Sequence, residues 1–466
     1  MLAELAGPDR PVWLVGGAVR ELVSGRTAGD LDLAVGGGAL DLGRQAAARV
    51  DAAFVVLDAM RGAGRLLGRS DDLALDLVDL RAPSLEGDLR ARDFTVNAFA
   101  VLIGDLLRAG RAEIVDPTGG LGDLERGLVR VCAPTAIADD PVRALRGVRL
   151  AMRAGWRLDP ETEAAIAADA SGVAAVSPER LRDELVGILG EPTAAAGLRA
   201  LDRLGVLRVL LPESLAMHAT PQPLPHHFDV WEHSLRAVEG VDALLVDLDA
   251  LAPWGAALRE HLAEGLGGRI TRREALKLAA LLHDVSKPET RSLDGDRVRF
   301  IGHDGVGALR TRAIAERLRL PRRAGQVLER LVAEHLRPMH LAQAGAISRR
   351  ARFRFFRDLG DEARDVLLLS LADAAALTGA SPLAVWNGAG GQVVRALMAG
   401  LEAESVAAEA PALLRGGDVM AAFGLSPGPE VGRLLARARE AQALGLVATR
   451  EEAIAYLRRV RDEGGT

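Results

Sequence analysis

What the chain has little of already excludes several classes of protein. Its 466 residues include a single cysteine, Cys132, so no disulfide can form within the chain, as is typical of the reducing cytoplasm. No apolar run approaches the roughly 20 residues that a membrane-spanning helix needs. The N-terminus also lacks the basic and apolar stretches of a secretory signal. We therefore predict a cytoplasmic protein that does not bind membranes.

Aromatic residues make up only 3% of the chain although 49% of it is hydrophobic, so the cores must be built from Leu, Ala and Val, which favours helices. The net charge of −6 does not indicate a nucleic-acid binder. Between Arg310 and Arg357, however, thirteen arginines face three acids. The whole chain contains only two lysines, so the number of arginines reflects a general preference for arginine over lysine. That preference does not explain why acidic residues are scarce in this stretch. The stretch therefore favours an anionic partner.

The pattern of hydrophobic residues changes along the chain. The first 130 or so residues alternate between strand-like and helix-like runs, which predicts an α/β unit with a mixed sheet. The predicted strands are 11–15, 31–35, 54–57 and 73–80, and a helix is predicted at 18–23. Beyond residue 139 the pattern is almost wholly helical, and a proline-rich break at 221–225 marks a boundary. We predict an α/β head at 1–135, a helical neck at 136–222, an all-α domain at 223–385 and a helical tail at 386–466.

Two glycines lie between the first strand and the first helix. Gly16 and Gly17 allow backbone N–H groups to approach a phosphate, and the helix N-terminus that follows favours an anion. Arg20, one turn further on, could face the same anion. On its own, a double glycine more often indicates an ordinary turn.

Acidic residues alternate on two of the predicted strands. Asp30 and Asp32 are two positions apart, so on a strand both carboxylates point to the same side. Two like charges this close favour a bound cation, and carboxylates suit Mg²⁺. Asp76, on another strand, could supply a third carboxylate for phosphoryl transfer. An isolated Asp-x-Asp more often indicates a solvated strand edge.

Six motifs in order resemble the class II tRNA nucleotidyltransferase and bacterial poly(A) polymerase family. They are VGGAVR at 15–20, GDLDL at 29–33, RDFTVNA at 92–98, DPTGGLGDL at 116–124, DDPVRALR at 139–146 and SPERLRDEL at 177–185. Each motif alone is modest evidence for the family, but six motifs in the same order over roughly 170 residues are not expected by chance. The resemblance implies a nucleotidyltransferase head followed by a helical neck.

The resemblance also implies roles for individual residues. Asp30 and Asp32 would bind Mg²⁺ and support in-line attack of an RNA 3′-hydroxyl on the α-phosphorus of a nucleoside triphosphate, with pyrophosphate leaving. The residues implied to bind the triphosphate and sugar are Gly16, Gly17, Arg20, Arg92, Asp93 and Asn97.

The segment 139–153 is implied to choose the base. Arg143, Arg146 and Arg149 fall on one side of a helix, and Arg153 with them. In similar enzymes an aspartate and an arginine at the positions of Asp140 and Arg143 read the base. A carboxylate accepts from the amino group of cytosine or adenine, whereas uracil and guanine present an acceptor there. From the residues alone, a helix cap with an ion pair is the favoured interpretation, and the context of the other motifs favours base reading instead.

A set of histidines in the third region resembles an HD-type metal-dependent phosphohydrolase domain. His233, the adjacent His283 and Asp284, and Asp373 would be ligands of a divalent metal whose identity is open. His303 and His335 could make additional metal or phosphate contacts. Alternatively these histidines only cap helices, or the metal site is structural and without turnover.

Together these observations predict Mg²⁺-dependent, template-independent addition of CCA, from CTP and ATP, to the 3′ end of tRNA. Addition of A only or of CC only, and poly(A) synthesis, are alternatives within the same family. An HD phosphohydrolase acting on RNA ends or nucleotides is an alternative of another class, and a non-catalytic RNA-binding scaffold is a third. No obligate protein partner is predicted.

Overall fold

A computed structural model describes residues 2–7, 10–27, 31–68, 74–345, 347–401 and 411–462. Asp30, one of the predicted metal ligands, therefore lies outside the described residues. The chain divides into two compact units. The first comprises residues 1–191 and 196–212, and the second comprises residues 192–195 and 213–466.

The first unit contains a mixed sheet of seven described strands in the order β3-β4-β5-β2-β1-β6-β7. These strands are β1 (Val12–Val15), β2 (Leu31–Val35), β3 (Ala53–Asp58), β4 (Ala63–Leu67), β5 (Ala74–Asp79), β6 (Ala100–Leu102) and β7 (Ile114–Val115). Strands β2 and β5 run parallel, and every other neighbouring pair is antiparallel. The predicted mixed sheet is confirmed.

All four predicted strands are present, and their bounds agree with the structure or differ by one residue at an end; predicted residue 73 lies outside the described residues. Strand β4 was not predicted, because its short sequence contains Gly64 and Arg65 and shows no clear alternation. It lies between β3 and β5, and it brings Arg65 opposite Asp76.

Alternation along β2 decides which face of the sheet carries the site. Leu33 and Val35 join one buried cluster with Leu42 and Ala46 of the helix Ala39–Val50. Ala34 belongs to a separate cluster on the other face. Because successive strand residues point to opposite faces, Asp32 shares the face of Ala34.

Helices form most of the remaining structure, as predicted. Those up to residue 212 are α1 (Leu2–Ala6), α2 (Gly17–Val23), α3 (Ala39–Val50), α4 (Leu85–Arg90), α5 (Ile103–Ala109), α6 (Gly120–Arg126), α7 (Ala136–Asp139), α8 (Arg143–Ala154), α9 (Pro160–Asp169), α10 (Pro178–Gly190), α11 (Ala194–Arg203) and α12 (Leu207–Leu210). Short 3₁₀ helices lie at Thr95–Asn97 and Ala170–Ala175, and Leu128–Val129 pairs with Arg157–Leu158 in parallel.

The second unit is built around three packed helices, α14, α16 and α22. Its helices are α13 (Ser214–His218), α14 (Val230–Val246), α15 (Gly255–Leu262), α16 (Arg272–Leu282), α17 (Lys287–Thr290), α18 (His303–Arg317), α19 (Arg322–Glu334), α20 (Arg337–Gln343), α21 (Arg349–Leu359), α22 (Ala363–Thr378), α23 (Pro382–Asn387), α24 (Gln392–Met398), α25 (Gly416–Phe423), α26 (Pro429–Ala443) and α27 (Arg450–Asp462). Short 3₁₀ helices lie at Leu248–Leu251, Gly360–Glu362 and Ala389–Gly391. Two small hairpins, Gly265–Gly267 with Ile270–Thr271 and Ser292–Asp294 with Arg297–Arg299, were not predicted.

Helix α16 shows why the histidines of this unit become buried. It begins with a capping box between Thr271 and Glu274, and every residue from Glu274 to Leu282 is buried. The His283–Asp284 pair follows directly at its C-terminal end, so the helix carries both side chains into the interior. Among the described residues, no helix combines the length and the apolar character needed to cross a bilayer.

Candidate active site and metal centre

The carboxylate of Asp32 lies against the glycine turn at the end of β1. A Cβ atom added to Gly16 would lie 3.2 Å from Oδ2 of Asp32 and 3.5 Å from Nη1 of Arg92. Gly16 has a φ of +72°, a conformation that favours glycine. The turn therefore has no room for a side chain, and the structure brings three of the predicted site residues together there.

Asp76 lies beside Asp32 in the sheet, because the two residues are register partners across the parallel strands β2 and β5. Its carboxylate accepts two hydrogen bonds from Arg65, at 2.6 Å from Nε and 2.7 Å from Nη2. The third predicted carboxylate is thus in place but paired with an arginine. No sequence pattern indicated this pairing, since β4 itself was not predicted.

Arg20 and Asn97 are brought together from distant parts of the chain. Nη1 of Arg20 donates to Oδ1 of Asn97, and Nη2 donates to Glu21 at 2.8 Å. Asn97 in turn donates to Asp93 at 3.3 Å. Arg20 is therefore linked to Asp93 through Asn97, so three of the predicted triphosphate and sugar residues form a connected network.

Asp93 links this network to the neck. It accepts from the backbone N–H of Phe94 at 2.8 Å and from Nη1 of Arg146 at 3.2 Å. Burial alone would raise the pKa of Asp93, but the charge of Arg146 and these hydrogen bonds hold the pKa below its usual value. Arg92 is fixed in a similar way, because it donates to the buried Asp88 at 3.0 Å.

A cleft of about 760 Å³ opens beside these residues within the first unit. It is lined by five arginines and three aspartates among other residues, namely Arg61, Arg81, Arg143, Arg146, Arg180, Asp79, Asp139 and Asp140. Its size suits a small ligand, and its excess of guanidinium groups suits an anionic one. The predicted base-reading residues Asp140 and Arg143 both lie in its wall.

The segment 139–153 is not one continuous helix. Helix α7 ends at Asp139 and α8 begins at Arg143, while Asp140 has φ −151° and ψ 89°. The break follows from Pro141, because a residue that precedes proline is driven out of the helical conformation. Asp140 therefore stands at a bend between two helices.

The arginines predicted to form one basic face are largely engaged within the protein. Arg143 is buried, and it donates to the backbone carbonyl groups of Ala136 at 3.2 Å and Ala91 at 3.1 Å. Arg146 and Arg149 both donate to Glu184 on α10, at 3.0 and 2.7 Å. Glu184 belongs to the motif at 177–185, but nothing in the sequence indicated that it pairs with both arginines.

Asp140 does not pair with Arg143. Its Oδ2 accepts from Nη2 of Arg180 on α10 at 2.7 Å. The alternative interpretation, an ion pair between Asp140 and Arg143 within one helix, is therefore wrong for these side chains. Arg180 lies 40 positions away in the chain, so no local pattern could have indicated it.

In the second unit the four predicted metal-ligating residues lie together. Nε2 of His233 lies 2.9 Å from Oδ1 of Asp373, and Nε2 of His283 lies 3.2 Å from Oδ2 of Asp284. The ligand atoms of His233, His283 and Asp284 all lie within 4.8 Å of one another. The same holds for Asp284, His303 and His335, so Asp284 belongs to both groups.

The histidine rings are oriented for metal binding. Nδ1 of His283, His303 and His335 lies 2.7–2.8 Å from a backbone carbonyl oxygen three residues earlier. These contacts orient the rings so that each Nε2 atom faces a carboxylate oxygen of Asp284. All three Nε2 atoms are buried, and none makes a hydrogen bond among the described residues. Buried polar atoms of this kind fit a divalent cation.

The pKa values of two histidines in this cluster shift in opposite directions. Burial lowers the pKa of His283, but the carboxylates of Asp284 and Asp373 outweigh it and raise the pKa to about 9. Burial and the nearby charge of His283 lower the pKa of His335 to about 4. Asp284 and Asp373 therefore favour positive charge at His283, whereas burial opposes positive charge at His335.

Two further residues reach this cluster and were not predicted to do so. The ring of His226 lies 5.1 Å from the ring of His233. Lys287 forms an ion pair with Asp284, with Nζ 2.6 Å from Oδ2, and it donates to Oε1 of Gln222 at 2.7 Å. Their positions in the sequence could have indicated them: His226 lies four positions before the start of α14, and Lys287 lies three positions after Asp284.

The arginine-rich stretch 310–357 is less free than its composition suggested. Acids from outside the stretch pair with several of its arginines, for example Glu213 with Arg317 and Glu440 with Arg354. Its local excess of positive charge is therefore reduced by tertiary contacts, and an anionic partner there remains a prediction.

The mixed sheet, its glycine turn and its carboxylates define a nucleotidyltransferase, joined in one chain to an HD-type domain. Residues 12–130 match the family model described as the poly A polymerase head domain, and residues 230–377 match the HD domain. Residues 155–217 match the model described as a probable RNA- and SrmB-binding site of polymerase A.

Known proteins resemble the chain over almost its whole length. An A-adding tRNA nucleotidyltransferase of Deinococcus radiodurans is 38% identical over 457 residues, covering 97% of this chain and 95% of the relative. A CC-adding tRNA nucleotidyltransferase of Thermus thermophilus is 36% identical, covering 95% and 92%. A solved CCA-adding enzyme in complex with ATP shares the fold, with a TM-score of 0.64 at 19% identity, covering 99% and 94%. The chain belongs to the tRNA nucleotidyltransferase and poly(A) polymerase family.

Proposed function

We propose that this enzyme adds nucleotides, without a template, to the 3′ end of tRNA, and that it completes CCA from CTP and ATP. The observation that carries the proposal is the position of Asp32, which lies against the Gly16 turn and beside Asp76 in the sheet. Similarity over 97% of the chain to a tRNA nucleotidyltransferase supports tRNA as the substrate.

The residues at the turn fit a divalent cation, which we expect to be Mg²⁺. Carboxylate oxygens are the ligands that Mg²⁺ prefers, and Gly16 leaves space beside Oδ2 of Asp32 that a side chain would fill. Asp32 would hold the metal together with Asp30 and Asp76. Asp76 can take part once its partly exposed ion pair with Arg65 opens, and such pairs contribute only about 0–1 kcal/mol.

Bound cations would offset the negative charge on the attacking 3′ oxygen and on the leaving pyrophosphate. The chain's own residues then bind and orient the substrate. The N-terminus of α2 and Arg20 would contact the triphosphate, and Arg92 would neutralise charge beside Gly16. Asn97 and Asp93, already hydrogen-bonded to each other, would position the sugar.

Similar enzymes differ in which nucleotides they add, so the nucleotides that this enzyme adds must be determined by experiment. Two proteins that resemble the whole chain are named for adding A and for adding CC. Addition of A alone, or of CC alone, is therefore the second candidate for this enzyme. Poly(A) synthesis by the same chemistry is the third.

Three tRNA transcripts distinguish these activities: one that lacks CCA, one that ends in C and one that ends in CC. Each is incubated with Mg²⁺ and labelled CTP or ATP. Addition of CCA to the first transcript supports the main proposal. Addition of A only to the CC end, or of CC only, supports the respective alternative, and a long A tail supports poly(A) synthesis. If wild type extends none of them and behaves like Asp32→Asn, the proposal is wrong.

We also propose a second activity, metal-dependent hydrolysis of phosphate esters at RNA ends or of nucleotides, at the HD site. Its support is the buried Nε2 atoms that surround Asp284. The test measures release of phosphate, or opening of a 2′,3′-cyclic nucleotide, with Mg²⁺, Mn²⁺ and Ni²⁺ added in turn. Activity lost in Asp284→Asn but kept in Asp32→Asn supports the proposal. Metal binding without turnover in any of these assays would indicate a structural site.

A further inference from the structure

We propose that His226 binds the phosphate group of a phosphate ester held at the HD site. The inference rests on the second proposed activity, because it names a residue that receives the substrate of that reaction. It depends on three observations in the second unit: where His226 lies in the histidine cluster, how the segment that carries it is held, and which of its atoms has no partner.

Five histidine rings form a row through the cluster. The centroids of neighbouring rings are 5.1, 5.3, 5.2 and 5.3 Å apart, in the order His226, His233, His283, His335 and His303. The last four residues are buried, whereas His226 is partly exposed. His226 therefore lies at the end of the row that is open to solvent, where a ligand can enter.

The carboxylates of the cluster place this open end next to the metal ligands. The side chain of Asp373 is 27% exposed, whereas that of Asp284 is 2% exposed. Burial and the charge of Lys287 lower the pKa of His226 to about 4, while Asp284 and Asp373 act in the opposite sense, so all three charged groups lie near its ring. His226 nevertheless belongs to neither group of described residues whose ligand atoms lie within 4.8 Å of one another. Its ring therefore lies just outside the ligands, where it can meet a group bound to the cation.

The segment 222–229, which carries this ring, is anchored at both ends. At its start Nζ of Lys287 donates to Oε1 of Gln222 at 2.7 Å, and the same Nζ lies 2.6 Å from Oδ2 of Asp284. At its end the side chain of Asp229 caps α14 by accepting a backbone N–H of the first turn at 2.7 Å. Because one anchor is a partner of the predicted metal ligand Asp284, the segment has a defined position beside the metal site.

One ring nitrogen of His226 has no partner in the protein. Its Nδ1 atom is buried and makes no hydrogen bond among the described residues. A buried polar atom is expected to have a partner when the site is in use. The oxygens of a phosphate group suit this role, because they accept hydrogen bonds and an imidazole can donate one. His227, the next residue, is exposed, so the two adjacent histidines have different surroundings.

A phosphate group can contact the metal site and His226 at the same time. Its oxygens point in different directions, so one can face the buried ligands while another accepts from His226 at the open end. A nucleoside monophosphate and a 2′,3′-cyclic nucleotide both carry such oxygens. The contact holds the ester in place, so its loss should weaken substrate binding more than it slows the chemical step.

The test measures the binding of inorganic phosphate, by calorimetry, to protein loaded with Mn²⁺ or Ni²⁺. All variants carry Asp32→Asn, so that the metal site of the head contributes less. In His226→Ala the Kd for phosphate should rise roughly tenfold to a hundredfold, the effect of losing one hydrogen bond to a charged group. His226→Asn should keep part of the affinity, because its amide can also donate. His227→Ala is the matched control and should bind phosphate like the parent, and all three variants should keep the parent's affinity for the metal.

Three results would overturn the inference. They are the absence of phosphate binding to the metal-loaded parent, an unchanged phosphate affinity in His226→Ala, and a parallel loss of metal affinity in that variant, which would mean that the ring only supports His233. Turnover of 3′-AMP and 2′,3′-cyclic AMP separates the inference from the proposed activity. If neither ester is hydrolysed, the second activity fails, but phosphate binding that depends on His226 still supports the inference. Hydrolysis with an unchanged KM in His226→Ala would refute the inference and leave the activity standing.

Discussion

Replacing Gly16 with alanine tests whether the glycine turn and Asp32 form one site. The new Cβ atom would lie 3.2 Å from Oδ2 of Asp32, tighter than ordinary van der Waals contact, and the backbone φ of +72° is strained for alanine. The carboxylate or the turn must therefore shift. Gly17, the next residue, offers a matched comparison, because its Cβ would meet only the end of the Arg20 side chain, at 3.5 Å.

The expected size of the effect follows from these contacts. Backbone strain of this kind costs about 1–3 kcal/mol, and in a unit of this length about 2 kcal/mol lowers the melting temperature by about 4–8 °C. Displacing a metal-binding carboxylate by a fraction of an ångström to one ångström reduces the rate by about a hundredfold. Gly17→Ala should instead melt at or above the wild-type temperature, since alanine favours the helix by about 0.5–1 kcal/mol.

The assay pairs thermal unfolding with the rate of labelled CTP or ATP addition to tRNA. We expect Gly16→Ala to lose both stability and activity, and Gly17→Ala to lose far less activity than Gly16→Ala. Wild-type activity in Gly16→Ala would refute the assignment of Asp32 to this turn. Equal loss in both variants would show that the contact with Asp32 is not the cause.

Three further predictions concern other parts of the chain. Because the folded-state pKa of Asp93 is lowered, its ionised form stabilises the fold above about pH 4, and this contribution is lost as the pH falls through the folded pKa. Thermal unfolding measured across pH should therefore show that Asp93→Asn lowers stability between pH 5 and 8 and lowers it less in acid. Burial, with the nearby charge of Asp93, raises the pKa of Cys132 to about 12, so the native thiol should react much more slowly with a disulfide reagent at pH 8 than the unfolded chain, and equal rates would contradict its burial. Asp284→Asn should remove binding of divalent metal in the second unit as measured by calorimetry with Mn²⁺ or Ni²⁺, and full binding in this variant would exclude Asp284 as a shared ligand.

Much of the fold could be predicted because it depends on local patterns. Alternation along residues 31–35 predicted strand β2, and the adjacent His283 and Asp284 predicted the HD-type domain. Strand β4 escaped prediction, because a short strand with a glycine and an arginine has no distinctive period. Without β4, the Arg65 partner of Asp76 could not be foreseen either.

The sequence by itself determined which residue types carry the chemistry, because motifs such as Gly16-Gly17 and His283-Asp284 act over neighbouring positions. Tertiary structure alone decided their partners. Asp140 meets Arg180 across 40 positions, and Arg146 meets Glu184 across 38. The physical reason is that a charged side chain pairs with whichever residue the packing of helices and strands brings within hydrogen-bond distance. The separation of two residues along the chain does not indicate how far apart they lie in space.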